Sequence, residues 1–137
     1  MSIVVDTGVL LAAADTDDAD HAACAQLLRD RRGQLLVPAP VIPEACWQIE
    51  RNLGPHSEAA FLRLVVTGDI AVVDLAVADY QRCVELIERY ADLGLGLVDA
   101  SVVTVAENHQ IATVATLNGR DFHVVRPRHC EAFELIP

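Results

Sequence analysis

The stretch that decides the fold class is Ile3-Val-Val-Asp-Thr-Gly-Val-Leu-Leu11. Three β-branched residues in a row are typical of a short strand that is buried on both faces, as strands of a parallel sheet are. Asp6 ends this run, and residues 9–14 are predicted to form a helix. The chain therefore opens with a buried strand that leads through an acidic residue into a helix.

The same alternation of short apolar strands and helices continues along the chain. Further strands are predicted at residues 35–37, 70–73, 112–115 and 133–136. Helices are predicted at residues 19–31, from Pro43 to about 53, and at 57–66, 78–90 and 98–108. This order indicates an α/β domain with a mostly parallel central sheet. Because 137 residues without a linker or repeat match the size of one domain, we expect a single domain over residues 1–137.

The composition excludes several classes of protein. A hydrophobic fraction of 53% excludes a disordered chain. All ten basic residues are arginine, so mechanisms that need a lysine, such as Schiff-base chemistry, are excluded. The formal net charge of −10 argues against nonspecific nucleic-acid binding through a basic face. It leaves room for a carboxylate cluster, because a bound divalent cation reverses the local charge.

The four cysteines are widely spaced and form no C-x-x-C pair, which favours reduced thiols in a cytoplasmic protein. Asp6 interrupts the first apolar run, so no signal peptide is expected. The other apolar runs are far shorter than the roughly 20 residues that a membrane span needs. We therefore expect a cytoplasmic location and no membrane association.

Three carboxylates stand where a strand or loop leads into a helix: Asp6, Glu44 and Asp99. Asp6 can cap the helix that follows it or line a site at the carboxyl end of the first strand. Glu44 follows Pro43 at a helix start, which alone is ordinary helix chemistry. Asp99 is in line with the apolar stripe of its helix, where a charge needs compensation. Together these acids point to a hard cation such as Mg²⁺, which prefers oxygen ligands.

The chain resembles PIN-domain ribonucleases, and specifically VapC-type toxins of bacterial toxin–antitoxin pairs. The resemblance is carried by the first strand with Asp6 and Thr7 and by four later segments in the family's order. These segments are Asp20-His21, Val41-Ile-Pro-Glu44, Leu95-Gly-Leu-Val-Asp99-Ala, and Ala115-Thr-Leu-Asn118-Gly-Arg-Asp-Phe122 with Val125-Arg-Pro127. The resemblance implies a three-layer α/β/α PIN-like fold.

The resemblance also implies an endoribonuclease that depends on Mg²⁺ or Mn²⁺ and hydrolyses phosphodiester bonds with a metal-activated water. Asp6, Glu44 and Asp99 would be the metal-binding and catalytic acids, and Thr7 would assist through its hydroxyl or backbone. The family often has a fourth acid at the position of Asn118. Asn118 stands at that position here and can offer a carbonyl oxygen but no charge, while Asp121, three residues on, either substitutes as the fourth catalytic acid or lies at the rim. Of these alternatives we expect Asn118 in the family position and Asp121 at the rim.

Substrate and partner contacts follow from the same resemblance. The substrate would be RNA, in structured tRNA or rRNA loops, and Arg120 and Arg126 could meet its phosphates. A cognate VapB-type antitoxin would neutralise the toxin. A homodimer is also implied, and we expect an apolar helical patch of Ile49, Leu53, Phe61 and Leu64 to serve it. Trp47, the only tryptophan, is expected to bury against the sheet or a partner.

Two other classes of function compete with the ribonuclease. One is a catalytically decayed PIN-like module, of which Asn118 would be the first sign, that binds an antitoxin or RNA without cleaving. The other is a phosphoryl-transfer signalling domain, since such domains also carry an acid after the first strand. The absence of lysine and the lone Asp6, where such domains carry an acidic pair, count against the latter.

Overall fold

The computed structural model describes residues 1–137, which form five strands and seven α-helices. The strands are β1 (Ile3–Val5), β2 (Leu35–Pro38), β3 (Ile70–Val73), β4 (Thr113–Ala115) and β5 (Glu134–Ile136). The helices are α1 (Thr7–Ala14), α2 (His21–Asp30), α3 (Val41–Leu53), α4 (Pro55–Val66), α5 (Val77–Arg89), α6 (Leu97–Asn108) and α7 (Gly119–Val124).

The five strands form one sheet in the order β3-β2-β1-β4-β5, and every neighbouring pair is parallel. The predicted mostly parallel sheet is thus confirmed. The β-branched run of β1 occupies the centre, where Val4 pairs with Leu36 on one side and Val114 on the other. All three residues of β1 are fully buried, which explains why the strand contains no polar residue.

The helices form two groups that flank the sheet in a three-layer α/β/α arrangement. Helices α1 to α4 pack against one another, while α5 packs on α6, which contacts β1, β2 and β4. Residues of α6 from Ala100 to Ala106 are all buried, so this helix lies in the core. No helix has the length and apolar character needed to cross a bilayer.

Helices α3 and α4 form a hairpin around Gly54, and this hairpin buries two residues of the predicted dimer patch. Gly54 has a φ of +91°, a conformation that glycine adopts without strain, and Pro55 starts α4. Ile49 and Phe61 are buried in the core, so they cannot form the predicted dimer patch. The periodicity of these residues marks packing within the chain, and a sequence alone does not distinguish this from packing between copies.

The outer residues of the same hairpin agree only partly with the prediction. Leu53 and Leu64 are half-buried and pack on the core, and Leu64 lines an apolar cleft with Phe61 that Ile49 and Leu53 do not line. Helix α3 begins at Val41, so Pro43 lies in its first turn and is not the first helical residue. Trp47 does not pack against the sheet, because its side chain is 60% exposed.

Helix α7 was not expected from the sequence. Its six residues are too few to show a periodic pattern, and they include Gly119. Phe122 anchors the helix: it is fully buried, with its ring edge-on to Phe133 at 6.3 Å between centroids. Tertiary packing of one aromatic side chain therefore holds α7 in place after β4.

A network of charged side chains joins α5, α6 and the C-terminal segment. Arg82 donates two hydrogen bonds to Glu107, at 2.8 and 2.9 Å, and the Arg128 amide donates a third at 2.8 Å. Burial raises the pKa of Glu107, but these hydrogen bonds and the nearby Arg82 charge outweigh it and hold the pKa below its ordinary value of 4.5. The ionised form of Glu107 thus stabilises the fold.

Replacing Glu107 by alanine is expected to lower the free energy of unfolding by about 3 kcal/mol, because it leaves the mostly buried Arg82 guanidinium with only its longer 3.3 Å contact to the more exposed Glu85. Because the pKa of Glu107 is lowered by folding, its contribution is present above pH 4.5 and disappears as the pH falls below that value. Urea denaturation at pH 7.5 and at acidic pH measures both effects. Asp69→Ala, which removes the looser 3.6 Å contact of Asp69 with exposed Arg32, is the control and should cost less than about 1 kcal/mol. Equal losses of unfolding free energy in Glu107→Ala and Asp69→Ala would contradict the stabilising role of Glu107.

Candidate active site

The three predicted acids meet in a cleft at the carboxyl edge of the sheet. Its volume is about 340 Å³, and its walls come from the start of α1, from α3, from α6 and from the segment after β4. Strand β1 pairs with β2 on one side and β4 on the other, so the chain reverses its direction of winding here. Ligands of open parallel sheets bind at such a switch point.

Asp6 lies at the base of this cleft and is 6% exposed. It is the N-cap residue of α1, where its Oδ1 accepts a hydrogen bond of 2.8 Å from the Thr7 amide. Its other oxygen, Oδ2, accepts a hydrogen bond of 3.0 Å from the hydroxyl of Thr116. The capping role and the position in the cleft, which are alternatives in the sequence, are thus both realised.

Thr116 is a residue of the site that sequence reasoning missed. It follows β4, and its hydroxyl both donates to Asp6 and accepts a 2.9 Å hydrogen bond from the Asn118 amide. Such a chain of hydrogen bonds polarises each member and fixes the orientation of the carboxylate. The signal in the sequence was its position directly after a predicted strand, as Asp6 is after the first strand. In a parallel sheet such positions lie at the same edge.

Asp99 is the third residue of α6 and is half-buried. Burial raises its pKa, the charges of Asp6 and Asp121 raise it further, and the backbone amide of Gly96 lowers it. The first-turn position next to the positive end of the helix dipole offsets part of the cost of ionisation. Asp99 is therefore both a first-turn residue and a cleft residue.

Glu44 reaches the cleft from the first turn of α3. Burial raises the pKa of Glu44, and the charge of Asp99 raises it further. Gln48, one turn along the helix, donates a long hydrogen bond of 3.3 Å to Glu44 Oε1. Gln48 also lines the cleft, and sequence reasoning did not select it.

The electrostatics of the cleft show that the acids act on one another. The pKa of Asp6 is raised chiefly by burial and also by Glu44, although the Thr7 amide and the Thr116 hydroxyl lower it. Glu44 responds to Asp99, and Asp99 responds to Asp6 and Asp121. No arginine contributes to these shifts. The cleft therefore carries several like charges that lack a cationic partner within the chain.

The donor set of the cleft fits a divalent cation that keeps part of its water shell. The carboxylates supply hard oxygen ligands, and the hydroxyl oxygen of Thr7 is buried beside them without a hydrogen-bond partner. No group of three or more His, Cys, Asp and Glu side chains is arranged closely enough to enclose an ion. Waters and an oxygen atom of a bound ligand would complete the coordination, since Mg²⁺ usually keeps several waters.

Asn118 and Asp121 are in contact at the edge of the cleft. Asn118 is a wall residue, and its amide nitrogen donates a 3.0 Å hydrogen bond to Asp121 Oδ2. Asp121 does not line the cleft, yet its charge raises the pKa of Asp99. The two side chains thus divide the features of a fourth acid: one has the position and the other has the charge.

The two predicted phosphate contacts differ in their surroundings. Arg120 is exposed on the first turn of α7, two residues after Asn118, and forms no salt bridge. The Arg126 guanidinium donates hydrogen bonds to the carbonyls of His123 and Val125, at 2.6 and 3.3 Å. Arg126 therefore closes the end of α7, and its guanidinium is already engaged there.

Comparisons with known proteins agree with this architecture. Residues 3–126 match the family model described as PIN domain. The chain is 28% identical over 135 residues to "Ribonuclease VapC26" of Mycobacterium tuberculosis (strain ATCC 25618 / H37Rv), covering 98% of this chain and 100% of that protein.

Solved structures share the same fold. The structure of VapC20 from Mycobacterium tuberculosis, described as a sarcin-ricin loop cleaving toxin, matches with a TM-score of 0.76 at 20% identity, over 82% of this chain and 87% of that one. VapBC2 from Rickettsia felis, bound to a DNA fragment from its promoter, matches with a TM-score of 0.70 at 16% identity over 100% of both chains.

Removing one charge from the cleft is expected to stabilise the metal-free protein. Asp99→Asn should raise the thermal midpoint at pH 7.5 by roughly 3 °C, the effect of somewhat less than 1 kcal/mol in a domain of this size. The pKa of Asp99 is raised by folding, so its ionisation destabilises the fold at neutral pH and has no effect below the unfolded value of 3.8. The gain should therefore vanish as the pH falls toward 3.8. Thermal unfolding in EDTA across this range measures it, and an unchanged midpoint at pH 7.5 would contradict the repulsion.

The hydroxyl of Thr116 is expected to hold the pKa of Asp6 down. Thr116→Val should raise the pKa of Asp6, because the ionised carboxylate loses a hydrogen bond, and Thr116→Ser should retain the wild-type value. Carboxyl-carbon NMR titration in EDTA measures the pKa directly. Thr104→Val is the matched control, since its buried hydroxyl bonds only to Ala100 and Cys83. A pKa that is the same in the valine and serine variants would contradict the role of the hydroxyl.

Proposed function

The chain belongs to the PIN domain family, and on that premise we propose that it is a VapC-type endoribonuclease toxin that depends on Mg²⁺ or Mn²⁺. Its substrate is RNA, in structured loops of tRNA or rRNA, and a cognate VapB-type antitoxin neutralises it. The 28% identity to a ribonuclease over almost the whole chain supports this proposal.

One observation carries the proposal: Asp6, Glu44 and Asp99 come from three different elements and share one cleft, where they raise one another's pKa. A fold gains no stability from such an arrangement, because half-buried like charges repel and are poorly solvated. Carboxylates held together at this cost are typical of sites that bind a cation. A decayed module would have no reason to retain the repulsion.

In this mechanism Asp6, Glu44 and Asp99 would hold the cation, and Thr7 would contribute its free hydroxyl. The bound cation would lower the pKa of the attacking water and neutralise charge on the phosphate oxygens. Thr116 orients Asp6, and Gln48 orients Glu44. No side chain acts as nucleophile: the Thr7 hydroxyl has no base in hydrogen-bond contact. The oxygen of a water forms the new bond to phosphorus as the bond from phosphorus to the ribose oxygen breaks, and the proton that the water loses is balanced by a proton gained from solvent at the leaving ribose oxygen.

The shape and charge of the cleft favour an RNA loop as the substrate. A cleft of about 340 Å³ admits a phosphate and its neighbouring sugars but not a duplex. Loops can also present their bases outward for recognition. Arg120, which is exposed and unpaired beside Asn118, is the residue proposed to meet a flanking phosphate.

We assign the fourth position of the site to Asn118, with Asp121 at its rim. Asn118 offers a neutral carbonyl oxygen to a second cation, and Asp121 adds negative charge without lining the cleft. A second metal would then bind weakly and mainly when the substrate phosphate is present.

The antitoxin would cover the acidic cleft and supply a basic side chain to it, since no arginine of this chain pairs with the acids. A homodimer remains part of the proposal, with a surface other than the buried Ile49 and Phe61.

Purified protein incubated with total tRNA and rRNA should cleave RNA in Mg²⁺ and should stop when EDTA is added. Asp6→Asn and Asp99→Asn should each reduce the rate by at least about 100-fold, because partners beyond the direct ligands of a metal already contribute 10- to 100-fold. Gel analysis with end-labelled RNA measures the products. Asp69→Asn, which removes the charge of an acid paired with Arg32 outside the cleft, is the control and should cleave normally.

Two results would overturn the proposal. Equal cleavage by the wild type and Asp99→Asn would assign the activity to a contaminant or another site. A wild type that cleaves no RNA but binds its antitoxin tightly would instead support the decayed module.

A further inference from the structure

We propose that Trp47 and Arg51 on α3 form a stacking platform for an unpaired base of the RNA next to the scissile phosphate. This inference rests on the proposed function, since it assigns a substrate contact beside the same cleft. The platform consists of the Trp47 indole and the Arg51 guanidinium.

The exposure of Trp47 is the first observation. Its ring is 60% exposed, although tryptophan side chains are mostly buried in folded proteins. The Arg51 guanidinium lies over the ring, with its central carbon 5.3 Å from the ring centroid. This cation–π contact places the guanidinium over one part of the indole, while Trp47 as a whole stays largely exposed to solvent.

The location of the pair is the second observation. Glu44 and Gln48 line the cleft from α3, and Trp47 and Arg51 occupy the neighbouring positions of the same helix. At 1.5 Å per residue, Trp47 lies about 4.5 Å along the axis from Glu44 and Arg51 lies about 10 Å from it. The platform thus begins one helical turn from an acid of the site, within reach of a nucleotide that flanks the bound phosphate.

The charge of Arg51 is the third observation. The salt bridges of the chain involve Arg32, Arg82 and Arg128, and Arg51 is in none of them. Its guanidinium makes no hydrogen bond to another side chain or to a carbonyl either. An unpaired guanidinium on an aromatic ring can contact a phosphate or stack on a base, as arginine does in RNA complexes.

These features fit a nucleobase better than an apolar protein surface. An indole capped by a cation offers a flat, polarised face, which every base can stack on whatever its sequence. The chain is strongly acidic, so positive charge next to the cleft has special value for holding RNA there. A second copy of the chain is the competing occupant, and the experiment distinguishes it.

Because Trp47 is the only tryptophan, its fluorescence reports on the platform directly. The titration uses Asp99→Asn protein in Mg²⁺, to prevent cleavage, with total tRNA, with a short oligoadenylate and with an abasic oligomer of equal length. We expect RNA to quench the fluorescence and the abasic oligomer to quench it little.

In anisotropy titrations with labelled RNA, Trp47→Ala should weaken binding by about 10-fold and Trp47→Phe by much less, in line with measured base stacking. Arg51→Gln should also weaken binding, and Tyr80→Ala, which removes an exposed aromatic on α5, should not.

The outcomes separate this inference from the proposed function. The platform would be overturned, and the nuclease proposal left intact, if the wild type cleaves RNA, Trp47→Ala cleaves it with an unchanged KM, and RNA does not quench Trp47 in the Asp99→Asn protein. If RNA quenches Trp47 in the Asp99→Asn protein and Trp47→Ala binds RNA more weakly, but the wild type cleaves no RNA, the platform is supported while the nuclease proposal fails. If Trp47→Ala changes a dimer into a monomer in sedimentation without altering RNA affinity, the ring belongs to a contact between copies and the inference is wrong.

Discussion

The repulsion between half-buried carboxylates is the constraint on which the rest of the structure depends. Burial and the charge of a neighbouring acid raise the pKa of Asp6, Glu44 and Asp99. Neutral hydrogen-bond donors of the fold offset part of this rise at Asp6 and Asp99. The amide of Thr7, the hydroxyl of Thr116 and the amide of Gly96 each lower a pKa that burial raises. The sheet order makes this possible, because it places β1 beside β4 and hence Asp6 beside Thr116. The cleft remains short of positive charge, and this shortage is what a cation or a basic side chain can fill.

The carboxylates at the two ends of α6 have opposite effects on the stability of the fold. At the far end, Glu107 has the partners that the cleft lacks, so its pKa is lowered and its charge stabilises the fold. At the near end, Asp99 lacks such partners and its pKa is raised. One helix thus carries a stabilising and a destabilising carboxylate a little over two turns apart. The first helps to offset the second, which is the usual relation between a scaffold and a functional site.

Sequence patterns predicted the sheet because its strands are short and mostly apolar, and because the central strands β1 and β4 are fully buried. The three acids were found because each stands where a strand or loop leads into a helix, and the family resemblance assigned them to one site. Helix α7 escaped prediction because one buried ring, Phe122, and not a periodic pattern, holds it. Thr116 escaped because its role depends on a neighbour 110 residues away. Ile49 and Phe61 were misassigned because apolar periodicity does not say which surface covers it.

The long separation between Asp6 and Thr116 has a consequence for synthesis on the ribosome. The first acid emerges at the start of translation, but the strand that carries its hydroxyl partner is among the last segments to leave the exit tunnel. Until then β1 lacks one of its two neighbouring strands, and Asp6 lacks the hydroxyl that donates to it. A product that ends between Asp99 and β4 would therefore contain all three acids without the segment after β4 that forms one wall of the cleft.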